Sequence, residues 1–156
     1  MLQEIEHKYL VRKDLWYAVH KPTGMRILQG YLLADPEKTI RIRIAGTNGF
    51  LTIKGPPRNA SRAEYEYPIL ITEAEELMQL CVTPPIEKVR YKIEYCGKIW
   101  DVDEFFGENE GLILAEIELA FEGETYKKPT WVGEEVTDDA RYYNSYLAVN
   151  PLSTWK

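Results

Sequence analysis

A series of short segments in which charged residues alternate with aliphatic or aromatic ones constrains this chain more than any other feature. Near the N-terminus Glu4, Glu6 and Lys8 alternate with Ile5, His7 and Tyr9. Residues two apart share one face of a β-strand, so the charged three line one side and their neighbours the other. The pattern returns at Arg41 and Arg43 between Ile40, Ile42 and Ile44, and at Lys54, which ends Phe50-Leu51-Thr52-Ile53. It returns again at Glu64 and Glu66 among Ala63, Tyr65 and Tyr67, and at Lys88, Arg90 and Lys92 among Val89, Tyr91 and Ile93. Asp101 and Asp103 flank Val102, and Glu116 and Glu118 flank Ile117. Period-two segments rich in β-branched and aromatic residues read as strands. Turn chemistry separates them at Ala34-Asp35-Pro36, Gly46-Thr47-Asn48-Gly49, Gly55-Pro56-Pro57, Cys96-Gly97 and Gly107-Glu108-Asn109.

A solvated strand face usually mixes both signs of charge with Thr, Ser and Gln. Here acidic pairs and basic pairs occupy different strands. Like charges so close repel, and the repulsion grows as they leave water. A ligand that completes the arrangement resolves this. Acidic pairs suit a divalent cation, basic pairs suit a polyanion, and a metal-bound polyphosphate supplies both. The bland alternative is a solvated sandwich face. Single charge pairs are common on such faces, but their repetition on nearly every strand is not.

The length of 156 residues fits one domain over 1–156 with a real core. The net charge of −6 argues against a nucleic-acid surface. Basic residues concentrate on particular strands, so they read as a local site rather than a global field. Cys81 and Cys96 lack metal-site spacing. Cys81 falls in an apolar helical stretch and reads as a buried thiol, which fits a reducing cytoplasm. No apolar run reaches membrane-spanning length and no secretory pattern opens the chain, so no membrane partner is expected.

Helices are fewer. The spacing predicts a short one over Lys13 to Val19. A second opens with a capping-box pattern at Thr72-Glu73-Ala74-Glu75 and continues through Leu77, Met78 and Leu80, stopped by Pro84-Pro85. A third runs from about Asp138 to Val149, with Tyr142, Tyr146 and Leu147 on a shared side and Pro151 beyond it. The class is α+β with a dominant antiparallel sheet. About eight strands joined by short turns suit a closed or nearly closed barrel. Closure allows a polar tunnel inside, with apolar faces turned outward beneath the helices. Such an interior is costly unless metal, water and ligand solvate its charges.

Glu4-x-Glu6-x-Lys8 resembles the ExExK signature of the CYTH superfamily, the triphosphate tunnel metalloenzymes. The later elements follow in that family's order: Arg41-x-Arg43, Lys54, Glu64-x-Glu66, Lys88-x-Arg90, Asp101-x-Asp103 and Glu116-x-Glu118. Glu134-Glu135-Val136-Thr137 with Arg141-Tyr142 is similar to the EVT…RY segment of the bacterial members. The resemblance spans nearly the whole chain. It implies a tunnel-shaped antiparallel barrel that hydrolyses or rearranges triphosphates with Mg²⁺ or Mn²⁺.

By resemblance, Glu4, Glu6 and Glu118 would hold the main metal ion, and Glu116 and Asp103 would shape a second site. Family members often carry Glu where Asp101 stands, and the shorter side chain favours Asp103 as the ligand. Lys8, Arg41, Arg43, Lys54, Lys88 and Arg90 would clamp phosphate oxygens, arginine as a planar fork and lysine as a point charge. Glu64 and Glu66 would orient basic residues or hold metal-bound water, and Arg141 would close over one tunnel mouth. Lys8 and the carboxylates Glu4, Glu6, Asp103, Glu116 and Glu118 are the candidate catalytic set. His7 lies on the opposite strand face and reads as packing. Tyr31, in Gln29-Gly30-Tyr31-Leu32, reads either as packing or as a tunnel residue. Trp131, after Pro129, reads as a loop anchor.

Three functions compete. The first is an inorganic triphosphatase releasing phosphate from tripolyphosphate. The second is another reaction on the same scaffold: a nucleoside or thiamine triphosphatase, or a class IV adenylate cyclase. A cyclase must hold an adenine, and this short chain offers no clear base-binding insertion. The third is a non-catalytic polyphosphate-binding module, which would need no carboxylates. The expected partner is the triphosphate itself, tripolyphosphate or a nucleoside triphosphate, with the chain acting as a monomer or homodimer.

Overall fold

The computed structural model describes residues 2–155. Nine strands carry the fold: β1 (Gln3–Val11), β2 (Met25–Asp35), β3 (Lys38–Ala45), β4 (Asn48–Lys54), β5 (Ser61–Ile69), β6 (Ile86–Tyr95), β7 (Lys98–Phe105), β8 (Ile113–Glu118) and β9 (Val132–Glu135). Eight of them form an antiparallel ring in the order β5-β4-β3-β2-β6-β7-β8-β1. The ring closes where Gln3, Glu4 and Ile5 of β1 pair with Ala63, Arg62 and Ser61 of β5. Further along β1, Tyr9 and Val11 pair instead with Glu135 and Val132 of β9. One strand thus serves two neighbours along a single edge. Closure leaves no long edge to pair with another chain, and the expected barrel is the fold.

The barrel is inverted, with the larger core on its outer surface. Tyr9, Trp100, Val102, Ala115 and Ile117 alternate with the charged residues of β1, β7 and β8, so they face outward into one buried cluster. Trp16 of α1 (Lys13–Trp16) and Trp131 of the β8–β9 connection cover that cluster. The rings of Trp16 and Trp131 meet edge-on at 5.0 Å, and those of Trp100 and Trp131 at 6.0 Å. Such aromatic pairs add roughly 0.5–1.5 kcal/mol each beyond the area they bury. Trp131 is therefore the anchor that its position after Pro129 suggested. On another side, α2 (Ile71–Met78) lies against β3 and β4, with Ala74 fully buried.

A second cluster sits at one end of the interior. Tyr31, Ile86, Phe105 and Leu114 occupy the inward positions of β2, β6, β7 and β8 there, and Leu147 and Ala148 of α3 (Asn144–Val149) pack onto them. The inner wall thus changes from charged to apolar along its length. The apolar end is plugged.

The helices depart from the sequence expectation in three places. α1 stops at Trp16 and continues to Val19 only as turns. α2 starts at Ile71 behind an extended Leu70, and no side-chain cap forms, so the capping box at Thr72 is not made. Docking of Ala74 against the sheet sets where this helix lies, and Cys81 falls beyond its end, half-buried. The stretch from Asp138 to Val149 is broken. A 3₁₀ turn at Ala140–Tyr142 is capped by Asp139, an extended Tyr143 follows, and α3 begins at Asn144. No helix among the described residues is long and apolar enough to cross a membrane.

Gly49 of β4 lies where α2 comes closest. A Cβ there would stand 2.7 Å from the Cβ of Ala74 and 3.2 Å from the carbonyl oxygen of Ile69. Gly49→Ala should push α2 off the sheet and cost about 1–3 kcal/mol, the usual penalty of overpacking. Thermal or urea unfolding of the variant checks this. An unchanged midpoint would mean that α2 shifts freely.

Candidate functional site: a charged cavity inside the barrel

The inward residues of the eight ring strands line a cavity of about 190 Å³. Twelve of the fourteen candidate residues reach it: Glu4, Glu6, Lys8, Arg41, Arg43, Lys54, Glu64, Glu66, Lys88, Arg90, Glu116 and Glu118. Antiparallel register brings them together from distant parts of the chain. Glu6 stands opposite Glu118 and Lys8 opposite Glu116 across the β1–β8 ladder. Lys54 stands opposite Glu64 across β4–β5.

The acidic side centres on Glu6 and Glu116, whose carboxyl groups share a hydrogen bond. Burial, followed by the charges of Glu116 and Glu4, pushes Glu6 well above the ordinary glutamate range. Burial also acts to raise Glu116, but Lys8 and the hydrogen bond from Glu6 outweigh it and bring Glu116 down to about 2. Of the two carboxyl groups, Glu6 is the one pushed toward its protonated form. Glu118 is also raised, by burial and by the charges of Glu4 and Asp101. Glu4 faces elsewhere. Its Oε1 lies 2.8 Å from Lys54 Nζ, which is also 3.3 Å from Glu64. Burial works to raise Glu4, and Lys54 overcomes it so that Glu4 falls below its ordinary value.

The basic side is held by a few neutral and acidic partners. Arg41 Nη2 donates to Thr52 Oγ1 at 3.1 Å and lies 3.5 Å from Glu66. Its Nε is buried with no partner. Arg43 donates through Nε and Nη2 to Gln29 Oε1 at 3.0 and 2.8 Å. Burial and the neighbouring Arg41 and Arg90 lower Arg43 to about 9. Arg90 places a two-pronged fork on Asp103 at 2.8 and 2.9 Å. Lys88, fully buried, lies 2.8 Å from the same carboxylate and donates to Asn144 Oδ1 at 3.0 Å. Burial lowers Lys88 to about 7, with Asp103 opposing the shift and Arg90 and Arg43 adding to it.

Two candidate residues lie outside the cavity. Asp103 is wholly buried behind Lys88 and Arg90, and its charge is held ionised by Arg90 and Lys88 against the cost of burial. Asp101 lines the cavity instead, opposite Glu116. The expectation that Asp103 rather than Asp101 would face a metal is thus reversed: the cross-strand partner of Asp103 is Arg90, and the carboxylate is consumed there. Arg141 sits in the 3₁₀ turn, paired with Asp139 at 2.7 Å and 5.5 Å from the ring centres of Tyr142 and Trp155. The break in the expected helix leaves it exposed and off the cavity lining. His7 faces outward as expected, hydrogen-bonded to the Tyr126 hydroxyl.

The donor chemistry suits a hard divalent cation, since carboxylate oxygens are its preferred ligands. No three acidic, histidine or cysteine groups among the described residues are already arranged to hold one. Glu6 and Glu116 share a proton where a cation would serve, and Glu4 is turned to Lys54. The set fits a metal that displaces that proton.

Several lining residues escaped the sequence reading: Thr39, Arg62, Thr137, Tyr143, Asn144 and Ser145, with Gln29 just behind the wall. Arg62 shares the inward parity of Glu64 and Glu66, which was a usable signal. Asn144 and Tyr143 carried none, because they reach the cavity through the break before α3. Tyr31 does line the cavity, and it is also packed into the apolar plug.

The family model of the CYTH domain matches residues 2–145. An inorganic triphosphatase of Acetivibrio thermocellus is 48% identical over the whole of this chain and 99% of the relative. An inorganic triphosphatase of Nitrosomonas europaea is 35% identical, with 96% of this chain and 99% of the relative covered. A crystal structure of an inorganic triphosphatase superposes with a TM-score of 0.66 at 33% identity, covering 96% of each chain. With its motifs on the inner wall of a closed barrel and a family match over nearly its full length, the chain belongs to the CYTH domain family.

Proposed function

We propose that the chain is a divalent-metal-dependent triphosphatase that releases phosphate from inorganic tripolyphosphate. The observation that carries this reading is the buried, partnerless Nε of Arg41 on the wall of a cavity already lined by Arg43, Lys88 and Arg90. A buried donor without an acceptor costs about 1–3 kcal/mol, and a phosphate oxygen would satisfy it. The names of the two relatives support the same substrate.

Arg41, Arg43, Lys88 and Arg90 would hold the phosphoryl oxygens, and Lys8 and Lys54 would complete the clamp. Glu6, Glu116 and Glu118, with Glu4 once released from Lys54, would hold Mg²⁺ or Mn²⁺. Asp101 would hold metal-bound water, and Asp103 would keep Arg90 and Lys88 in position. The metal, when bound, neutralises charge on the phosphates and lowers the pKa of a water ligand. The protein's own part is positioning and fixed charge, as phosphoryl transfer with a loose transition state requires. Small organic ligands usually meet mostly apolar walls. The wall of this cavity is mostly charged, and the apolar end beyond it is filled by Leu114 and Leu147, both fully buried. That favours an inorganic substrate over a nucleotide or thiamine ester. Phosphate release from tripolyphosphate and from ATP at equal concentration, with and without Mg²⁺ or Mn²⁺, tests the reading. Metal-independent release, or a preference for ATP, would overturn it.

Arg41→Ala should cost roughly 2–4 kcal/mol of transition-state stabilisation, like removal of one preorganised donor. Steady-state kinetics with tripolyphosphate measures it, and a loss under about threefold would leave Arg41 without a role at the reacting group.

Glu6→Gln should abolish metal-dependent hydrolysis and weaken Mg²⁺ or Mn²⁺ binding in calorimetry. It should also raise the melting temperature of the metal-free protein near neutral pH. The raised carboxyl holds a proton in the fold that the unfolded chain has already released. Metal-free stability therefore falls as pH rises above the ordinary glutamate range, and glutamine removes that dependence. Parental turnover in the variant would place the metal elsewhere.

A further inference from the structure

Between the basic wall and α3 runs a chain of hydrogen bonds through two neutral amides. Arg43 donates twice to Gln29 Oε1, Gln29 Nε2 donates to Asn144 Oδ1 at 3.0 Å, and Lys88 Nζ donates to that same Asn144 oxygen at 3.0 Å. Gln29 is fully buried. The orientation of both amides is dictated from the Arg43 end. Arg43 can only donate, so Gln29 must turn its oxygen toward the guanidinium and its NH₂ group toward Asn144, whose oxygen then also accepts from Lys88. The chain joins β3, β2, α3 and β6 across the cavity end. Among the described residues Arg43 makes no ion pair, in contrast to Arg90, whose charge is taken up by Asp103. A neutral acceptor fixes the direction of a guanidinium without spending its charge on a carboxylate. The charge of Arg43 is thus left for an anionic ligand, while its geometry is already set.

We propose that Gln29 and Asn144 are positioning residues, an amide bridge that aims Arg43 and Lys88 at one phosphoryl group and ties the first turn of α3 across the cavity end. The proposal rests on the triphosphatase reading and adds a device to it. Preorganised donors are effective because no reorganisation is needed as charge develops. The bridge supplies that order to Arg43 and Lys88. It also holds Tyr143 and Ser145, the neighbours of Asn144, on the cavity wall.

The test compares the parent with Gln29→Ala, Asn144→Ala and the double variant. Each single variant should lose roughly tenfold or more in kcat for tripolyphosphate with Mg²⁺. Because both residues act as one unit, the double variant should lose no more than about threefold beyond the worse single. Each should also narrow the preference for tripolyphosphate over ATP. In NMR spectra of the ¹⁵N-labelled, metal-free proteins, the Arg43 Nε–H signal should be protected from solvent exchange in the parent. It should lose that protection in Gln29→Ala while the backbone amide spectrum remains that of the folded barrel. Single variants with parental kcat, or losses that multiply in the double, would overturn the bridge. If the parent neither binds nor hydrolyses tripolyphosphate, the triphosphatase reading fails. The Arg43 signal then still decides whether the amides hold the guanidinium, and unchanged protection in Gln29→Ala would reject that too.

Discussion

Everything in this molecule depends on holding many ionised side chains inside a closed ring of strands. Withdrawing charges from water costs several kcal/mol each unless partners compensate. The interior meets that cost locally. Asp103 serves Lys88 and Arg90, Glu4 and Glu64 serve Lys54, and Glu66 approaches Arg41. What remains uncompensated is sorted by position. Glu6 and Glu116 must share a proton on the β1–β8 side, while Arg43 meets only an amide on the β2–β3 side. A salt-bridged core would have closed these pairs on themselves. The residual surplus of acid on one wall and base on another is what the proposed cation and polyanion would complete together.

A polar interior obliges the strands to find stability elsewhere. They find it on the outer face, where Trp16, Trp100 and Trp131 gather around Tyr9, Val102, Ala115 and Ile117. The same strand therefore does two jobs at alternating positions: Lys8 and Glu116 face the cavity, while Tyr9 and Ile117 face the core. A one-residue slip of register would exchange them. Such a slip would bury charge beneath the tryptophans and turn apolar groups into the cavity, so the folding energy and the functional geometry select the same register.

This explains what was legible in the sequence. Alternation of charge with aliphatic residues is a local property, so the strands, their inward faces and twelve cavity residues could be read directly. The barrel followed from strand number and short turns. The failures arose where tertiary contacts decided the outcome. The capping-box pattern at Thr72 lost to docking of Ala74 on the sheet, and the helical pattern from Asp138 lost to an Asp139-capped turn and an extended Tyr143. That one break leaves Arg141 off the cavity lining and brings Asn144 onto it. Gln29 was invisible because β2 carries no charge alternation, and a neutral amide gives no signal until its neighbours are known.

The two aspartates of β7 show how depth along one face assigns a role. Asp101 and Asp103 share the inner side, and sequence cannot separate them. The inner wall of β7 runs from Asp101 at the cavity, through Asp103, to Phe105 in the apolar plug. β6 runs in parallel order from Arg90 through Lys88 to Ile86. Lys88 therefore stands at the boundary, 5.3 Å from the Phe105 ring centre on one side and 2.8 Å from Asp103 on the other. A lysine there would lose its charge to the plug without a carboxylate beside it, since desolvation alone pulls an ammonium down by several units. Asp103 is the residue that opposes this loss of charge next to an apolar wall. Its burial behind the arginine fork is what allows the cavity to carry positive charge down to its closed end.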